Sequence, residues 1–463
     1  MEMDFPQEVI ERLPLAESVF RLSQFVLNDE HANEIFEKHR GRSYEKVIGF
    51  PLFVKLIGDA LVEHDGNGHQ AFKRAIEKKE LEATTQAAYA KLHRVPISLS
   101  TGFLAETTAR LQEVFPTGVS SPVPQCLSEF TVINIDGKKL KHLPKRLLPT
   151  RKLRGNVLGG KLVVGMDQRT GLAVAMEGVL DGETSDAPLV PGLLKQLREH
   201  LVGPRLYVED RQFCDLTQPE LLNEDEYFLI RYHKKVSFHR DHTQRIRRGK
   251  TAKGFHYMEE WGWIGKPDDP RRRAVRRITL YRKDADDVIL ITDLLDADAY
   301  PAEDLLEVYL HRWDIEKLFQ RVTEVFNLQD LISSTPQATI FQAAYCFFLS
   351  NLITTIRAYV AESQDMEPET ISIYQIQYDV QQEMTAWAKM LDAMSTIAVL
   401  GEVKTAGRLR QCLRRLLSGV WTDRWIKSLP SKHTPVENKK YIRGGHTSVQ
   451  RLLIKAKRVK QSC

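Results

Sequence analysis

Three carboxylates in this sequence stand where chemistry could be done: Asp136, Asp210 and Glu316, successively 74 and 106 residues apart. Asp136 ends the branched run Thr131-Val132-Ile133-Asn134-Ile135 and precedes Gly137, while Asp210 closes Leu206-Tyr207-Val208-Glu209 ahead of Arg211-Gln212-Phe213. A carboxylate at a strand end is aimed by a backbone that the sheet holds still, as a metal ligand must be. An aspartate there also serves as a turn or cap residue, so neither position decides the matter alone. Glu316 shares an amphipathic run with Tyr309 and Arg312. At about 100° per residue, Arg312 falls about 60° and Glu316 about 20° back from Tyr309, so one continuous helix would present all three on one face. Such a face is a polar working surface rather than a core stripe; the plainer alternative is a solvated Glu–Arg pair. Three carboxylates offer only oxygen donors, the set that Mg2+ prefers and Mn2+ accepts. Two such ions, about 3.5 to 4 Å apart, would activate water and stabilise the leaving oxygen of an in-line displacement. Two carboxylates could also serve glycoside hydrolysis, but that leaves the charge pattern unexplained.

The elements that would hold these groups can be read from periodicity. From Phe5 to about Phe115 helical spacing dominates, and Pro116 to Pro124 has a linker's Pro, Ser and Gly density. Short branched runs follow at 131–135, 161–166, 173–180, 206–208 and 227–231, with an amphipathic stretch at 187–201 between the third and fourth. Three strands, then helix, strand, helix and strand indicate a mixed α/β layer whose order resembles a ribonuclease-H-like fold. Residues 232–276 lose this rhythm and are expected to form an inserted β-rich subdomain. Strands return at 277–281 and 288–292, and one long helix is expected from Pro301 to about Phe326. The fold class is therefore α/β: a core at 126–331, holding the three carboxylates, flanked by a helical region at 1–125 and a helical, basic region at 332–463.

Charge points to a polyanion. The formal net charge is only +5, but residues 401–463 carry 16 Lys/Arg against 3 acids, residues 234–282 carry 15 against 5, and residues 138–154 carry 8 against none. Blocks this dense next to candidate catalytic acids are the footprint expected of a nucleic-acid partner. Five cysteines without a C-x-x-C pair argue against a disulfide framework or a cysteine zinc site, and the 14 histidines show no H-E-x-x-H spacing. A reducing, cytoplasmic setting is expected. The apolar stretch 338–356 is interrupted by Gln342, Ser350, Asn351 and Thr354, and reads as a buried core helix rather than a membrane span.

The wording around Glu316 is specific. Tyr309-x2-Arg312-x3-Glu316, within Tyr309-Leu310-His311-Arg312-Trp313-Asp314-Ile315-Glu316-Lys317-Leu318-Phe319, resembles the Tyr-Arg-Glu-Lys motif of the insertion-sequence-four family of bacterial DDE transposases. Ile135-Asp136-Gly137 and Asp210-Arg211-Gln212-Phe213 are similar to that family's first and second acidic positions, and the likeness spans about 130–326. It implies a nucleoid-associated transposase that cuts transposon ends and joins them to target DNA. Asp136, Asp210 and Glu316 would hold two Mg2+ ions, with Tyr309 and Arg312 on the phosphate backbone. The partners implied are double-stranded DNA, as terminal inverted repeats and target, and a second copy of the chain in the synaptic complex. The resemblance further implies an aromatic residue in the insertion that stacks on an unpaired base, for which Trp261 and Trp263 are the candidates. The cluster 271–277, Arg272 and Arg276 included, would contact phosphates. One position departs: Thr323 stands where the family's lysine should be. A relative that binds DNA without cutting it is the alternative this departure raises.

Overall fold

The computed structural model describes residues 13–43, 45–64, 66–119, 123–141, 143, 145–155, 157–283, 285–325, 328, 332–390, 400–427 and 447–461. Among the described residues six helices come first: α1 (Pro14–Val26), α2 (Asp29–His39), α3 (Phe50–Val62), α4 (Gly68–Glu77), α5 (Thr85–Leu92) and α6 (Ile97–Val114). Their starts follow local chemistry. The side chains of Asn28, Asn67 and Thr84 accept hydrogen bonds from the backbone N–H groups of His31, Gln70 and Ala87, satisfying donors that a first helical turn leaves open.

The strands follow as β1 (Thr131–Lys139), β2 (Val157–Leu158), β3 (Lys161–Asp167) and β4 (Ala173–Val179), then helix α7 (Val190–His200). Next come β5 (Arg205–Glu209), β6 (Glu226–Arg231), β7 (Phe238–Arg240), β8 (Arg247–Lys250), β9 (His256–Ile264), β10 (Arg273–Leu280) and β11 (Val288–Thr292). The order across the main sheet is β4-β3-β1-β5-β6-β11-β10-β9-β7, with β8 also on β9. β1, β3 and β4 pair antiparallel, whereas β1, β5 and β6 run parallel. The strands of 232–276, the stretch expected as an inserted β-rich subdomain, extend this sheet: β11 returns to pair antiparallel with β6 and carries β10 and β9 with it.

The parallel centre is buried on both faces, as parallel strands usually are. Val132, Leu206, Val208 and Leu229 pack beneath α8 (Ala302–Leu310); Ile133, Ile135 and Tyr207 pack beneath α7. After α8 a tight 3-10 turn, His311–Trp313, leads into α9 (Asp314–Glu324). The single helix expected over 301–326 is thus broken at the residues of interest. At the break the Asn134 side chain on β1 donates to the His311 carbonyl, so the sheet takes a bond that a continuous helix would use internally.

The chain closes with α10 (Pro336–Gln364), α11 (Ile373–Met390), α12 (Ala406–Leu417), β12 (Thr447–Ser448) and α13 (Val449–Gln461). α10 is long and apolar enough to cross a membrane, yet its most apolar window is 94% buried within the fold. Phe341 on α10 packs against Phe50, Phe53 and Phe103, so the amino-terminal helices share one core with α10 and with β3 and β4. Asn351 fastens this helix to β4, which ends the sheet: it accepts from the Ala173 N–H and donates to the Ala173 carbonyl and to Thr108 Oγ1, each at 2.9 Å. Replacing Asn351 by leucine strands the buried Ala173 N–H, and should lower unfolding free energy by on the order of 2 to 3 kcal/mol in urea titration. An unchanged urea midpoint would mean that this bond does not hold the helix to the sheet.

Candidate active site

The site grows out of the register of two strands. Parallel pairing of β1 with β5 ends at Ile135 opposite Glu209, so the next residues, Asp136 and Asp210, stand side by side where the two strands part. Asp136 is not at the end of its strand as expected: β1 continues to Lys139, because its antiparallel pairing with β3 runs on to Lys161. Both carboxylates are pinned by their own backbone. Asp136 Oδ1 accepts from the Gly137 N–H at 2.7 Å, and Asp210 Oδ1 accepts from the Arg211 N–H at 2.5 Å, capping a short 3-10 turn. The cap reading of Asp210 is correct without excluding a second role, since each carboxylate has another oxygen.

Alternate residues of β1 face the helix that carries Glu316. Asn134 reaches His311, Asp136 reaches Arg312, and Lys138 reaches α9, where its Nζ donates to Thr323 Oγ1 at 2.8 Å and to the Phe319 carbonyl at 3.1 Å. This follows from the two-residue period of a strand. Arg312 is the hub. Its Nη2 lies 2.8 Å from Glu316 Oε1 and its Nη1 lies 3.6 Å from Asp136 Oδ2. The rings of Tyr309 and Trp313 flank its guanidinium, with centroids 5.9 and 5.2 Å away.

Tyr309 and Arg312 are each only 4% exposed, which sets them beneath the surface on which the contact with a phosphate backbone was expected. Their surroundings explain the difference. Burial by itself would lower the pKa of Arg312, but Tyr309, Glu316, Asp136 and Asp210 around it hold it above its ordinary value. Burial pushes Asp136 up to about 6; the charges of Glu316 and Asp210 add to this, while the Gly137 N–H and Arg312 oppose it. One guanidinium is too little positive charge for three carboxylates. Among the described residues no three His, Cys, Asp or Glu side chains are gathered into a group that could hold an ion. The convergence expected of Asp136, Asp210 and Glu316 is therefore partial: the two aspartates are neighbours, and Glu316 joins them through Arg312. The donors nonetheless suit a hard cation, being all carboxylate oxygens.

The other expected DNA contacts divide. Arg276 is corrected outright: it is fully buried, held by Glu259 (Nε to Oε2 2.7 Å) and by the Tyr300 carbonyl (2.6 Å). Its inward position on β10, against Glu259 of the neighbouring β9, was hidden in a run of arginines. Trp261 is anchored by its indole N–H on the Leu295 carbonyl, 2.8 Å away. Trp263 is half-buried beneath the exposed Arg272, whose guanidinium lies 4.5 Å from the ring centroid. Three residues that sequence reasoning passed over also shape the site. Lys138 meets Thr323, and Asp186 both pairs with Lys161 at 2.5 Å and presses against β1 so closely that a Cβ on Gly137 would stand 2.0 Å from its Oδ1. Gly137 can be nothing larger without moving that carboxylate.

Residues 129–352, which contain all three carboxylates with Tyr309 and Arg312, match a family described as the transposase DDE domain. A search of curated proteins found no match. Among solved structures, the chain is similar to a cryo-EM structure of the piggyBac transposase synaptic complex with hairpin DNA. That alignment has 13% identity and a TM-score of 0.41, and covers 89% of this chain and 88% of that one.

The electrostatics give a checkable result in metal-free buffer. Since the folded pKa of Asp136 lies above its unfolded value, the folded chain holds the extra proton between about pH 4 and 6, and this group's contribution to stability is lost as pH rises through that window. Asp136→Asn removes the penalty. Its stability relative to the native sequence should improve by on the order of 1 to 2 kcal/mol between pH 4 and pH 8 in EDTA. Parallel pH profiles for the two proteins would exclude a raised Asp136 pKa.

Proposed function

We propose that this chain is a DDE-type DNA transposase that cuts transposon ends and joins them to target DNA. The observation that carries the reading is the placement of Asp136 and Asp210 where two parallel strands part, with Glu316 brought to them by Arg312, inside the stretch matched to the transposase DDE domain. In this reading β4-β3-β1-β5-β6, covered by α7 and α8 on opposite faces, is a ribonuclease-H-like core. It is supported by three antiparallel strands in sequence followed by two parallel ones. Residues 1–125 and 332–463, mainly helical where they are described, are its flanks, and the setting is the bacterial cytoplasm.

Asp136, Asp210 and Glu316 would hold two Mg2+ ions, or Mn2+ in their place. Bound there, the ions would supply an activated water and charge stabilisation for the leaving 3′ oxygen. The chain's own residues prepare that chemistry. The Gly137 and Arg211 N–H groups fix the two aspartates, and Arg312 keeps Glu316 beside them until a cation competes for its carboxylate. Arg272 above Trp263 presents a cation and a ring face suited to an unpaired base and its phosphate. The DNA partners are double-stranded terminal inverted repeats and target, and two copies of the chain pair two ends.

A second reading, a DNA-binding relative that does not cut, is favoured by the incomplete gathering of the carboxylates around Arg312. One assay separates the two. The full-length protein is incubated with a supercoiled plasmid carrying the DNA that flanks its own gene. The transposase should nick it only when Mg2+ or Mn2+ is added, and Asp136→Ala, Asp210→Ala and Glu316→Ala should each lower the rate by at least about 100-fold while still binding the plasmid. Tight binding with no cut at any metal concentration would establish the second reading instead.

A further inference from the structure

A cavity of about 450 Å3 opens beside Asp136, between β1 and the end of α9. Four lysines line it, Lys138, Lys139, Lys141 and Lys161, together with Asp136, Asp186, Gln212 and Thr323. Walls this charged do not suit an apolar ligand. They suit an anion whose oxygens can each find a cation or hydroxyl. Not all four ammonium groups are available, since Lys161 is neutralised by Asp186 at 2.5 Å. Lys138 differs. Among the described residues no carboxylate closes an ion pair with it; its Nζ is steered by two uncharged acceptors, Thr323 Oγ1 and the Phe319 carbonyl, over the Phe319 ring 5.2 Å away. An ammonium has three donors, and these two bonds leave the third for the cavity.

We infer that this cavity seats a backbone phosphate of the DNA strand being cut, with Lys138 as the cation that grips it and Thr323 as the hydroxyl that holds Lys138 in place. The inference rests on the DNA-cutting reading above and adds to it a phosphate contact outside the three carboxylates. Strand geometry fixes the spacing. Asp136 and Lys138 lie on the same face of β1, two residues and about 6.6 Å apart. A strand whose reacting phosphate sits at Asp136 therefore passes Lys138 next. The hydroxyl of Thr323 donates to the Phe319 carbonyl at 2.7 Å, so its oxygen lone pairs are turned to Lys138 and the ammonium is held at the cavity wall. Lys139 and Lys141 add exposed positive charge at the mouth.

The test uses the full-length protein, a fluorescent 40-base-pair duplex for binding across a salt series, and the plasmid assay for cutting. Lys138→Met should reduce the slope of log affinity against log salt by about one and weaken binding about five-fold at 0.15 M salt, while Lys138→Arg retains both. Thr323→Val, a small change that leaves the charge, should weaken binding less. Thr323→Lys placed in the Lys138→Met protein should recover the slope, because the ammonium then enters the same cavity from the helix. Circular dichroism melting confirms that each variant is folded. If the native protein cuts DNA and Lys138→Met keeps the native slope and rate, the phosphate seat is wrong and the transposase reading stands. If no cutting occurs but the slope changes as described, Lys138 grips a phosphate of bound DNA only, and both the enzyme reading and the placement of that phosphate on a cut strand fail. Failure of the native protein to bind the duplex overturns both.

Discussion

The buried guanidinium of Arg312 is the constraint on which the site depends. Carboxylates removed from water repel one another and lose hydration, and Asp136 shows the strain in a pKa raised to about 6. A charge this enclosed persists only when it is paired and supported by other contacts. Arg312 has both: carboxylates at two of its nitrogens and aromatic rings beside it. Its place requires the break between α8 and α9. A continuous helix would offer the same residues at fixed spacing, whereas the 3-10 turn lets Asn134 capture the His311 carbonyl and draws Arg312 down to β1.

β1 is therefore the spine of the arrangement. One face feeds the core beneath α7 through Ile133 and Ile135; the other sets Asn134, Asp136 and Lys138 in a row along the turn and α9. A slip of one residue in its register would exchange these faces and bury the polar row against leucines. The double pairing of β1, parallel to β5 and antiparallel to β3, guards against that slip. Gly137 completes the fit by admitting the Asp186 carboxylate to a distance no side chain would tolerate.

The electropositive character of the chain is redistributed by folding. Much of the basic stretch 234–282 is spent on internal pairing, with Arg247 on Asp298, Arg271 on Asp269, Arg273 on Asp293, Arg276 on Glu259 and Arg277 on Glu260. In the tail, Arg451 is tied to Asp181 and Glu183. The lysines of the short block after Asp136 are differently placed, around the cavity that adjoins the carboxylates. Thr323, which in the sequence looks like a cation lost, is in the fold the partner of a cation supplied by another element.

What the sequence determined by itself was local. Short runs rich in branched residues announced the strands of the centre, Asp136 and Asp210 stood out because each follows such a run, and the Tyr309, Arg312 and Glu316 spacing marked one polar face. The buried character of α10 was legible from the polar residues that interrupt its apolar stretch. Tertiary structure decided the rest, because it turned on pairings between distant residues. Nothing in a run of arginines says that Arg276 will find Glu259 across a strand ladder while Arg272 stays exposed over Trp263. Nothing near Thr323 says that Lys138, 185 residues earlier, will reach it. Periodicity reports which face a residue takes, and it cannot report what waits on the other side. That is set by which strands lie side by side, and here the neighbouring strands of β1, drawn from either side of it in the sheet, placed its carboxylate beside a second one and its lysine beneath a helix.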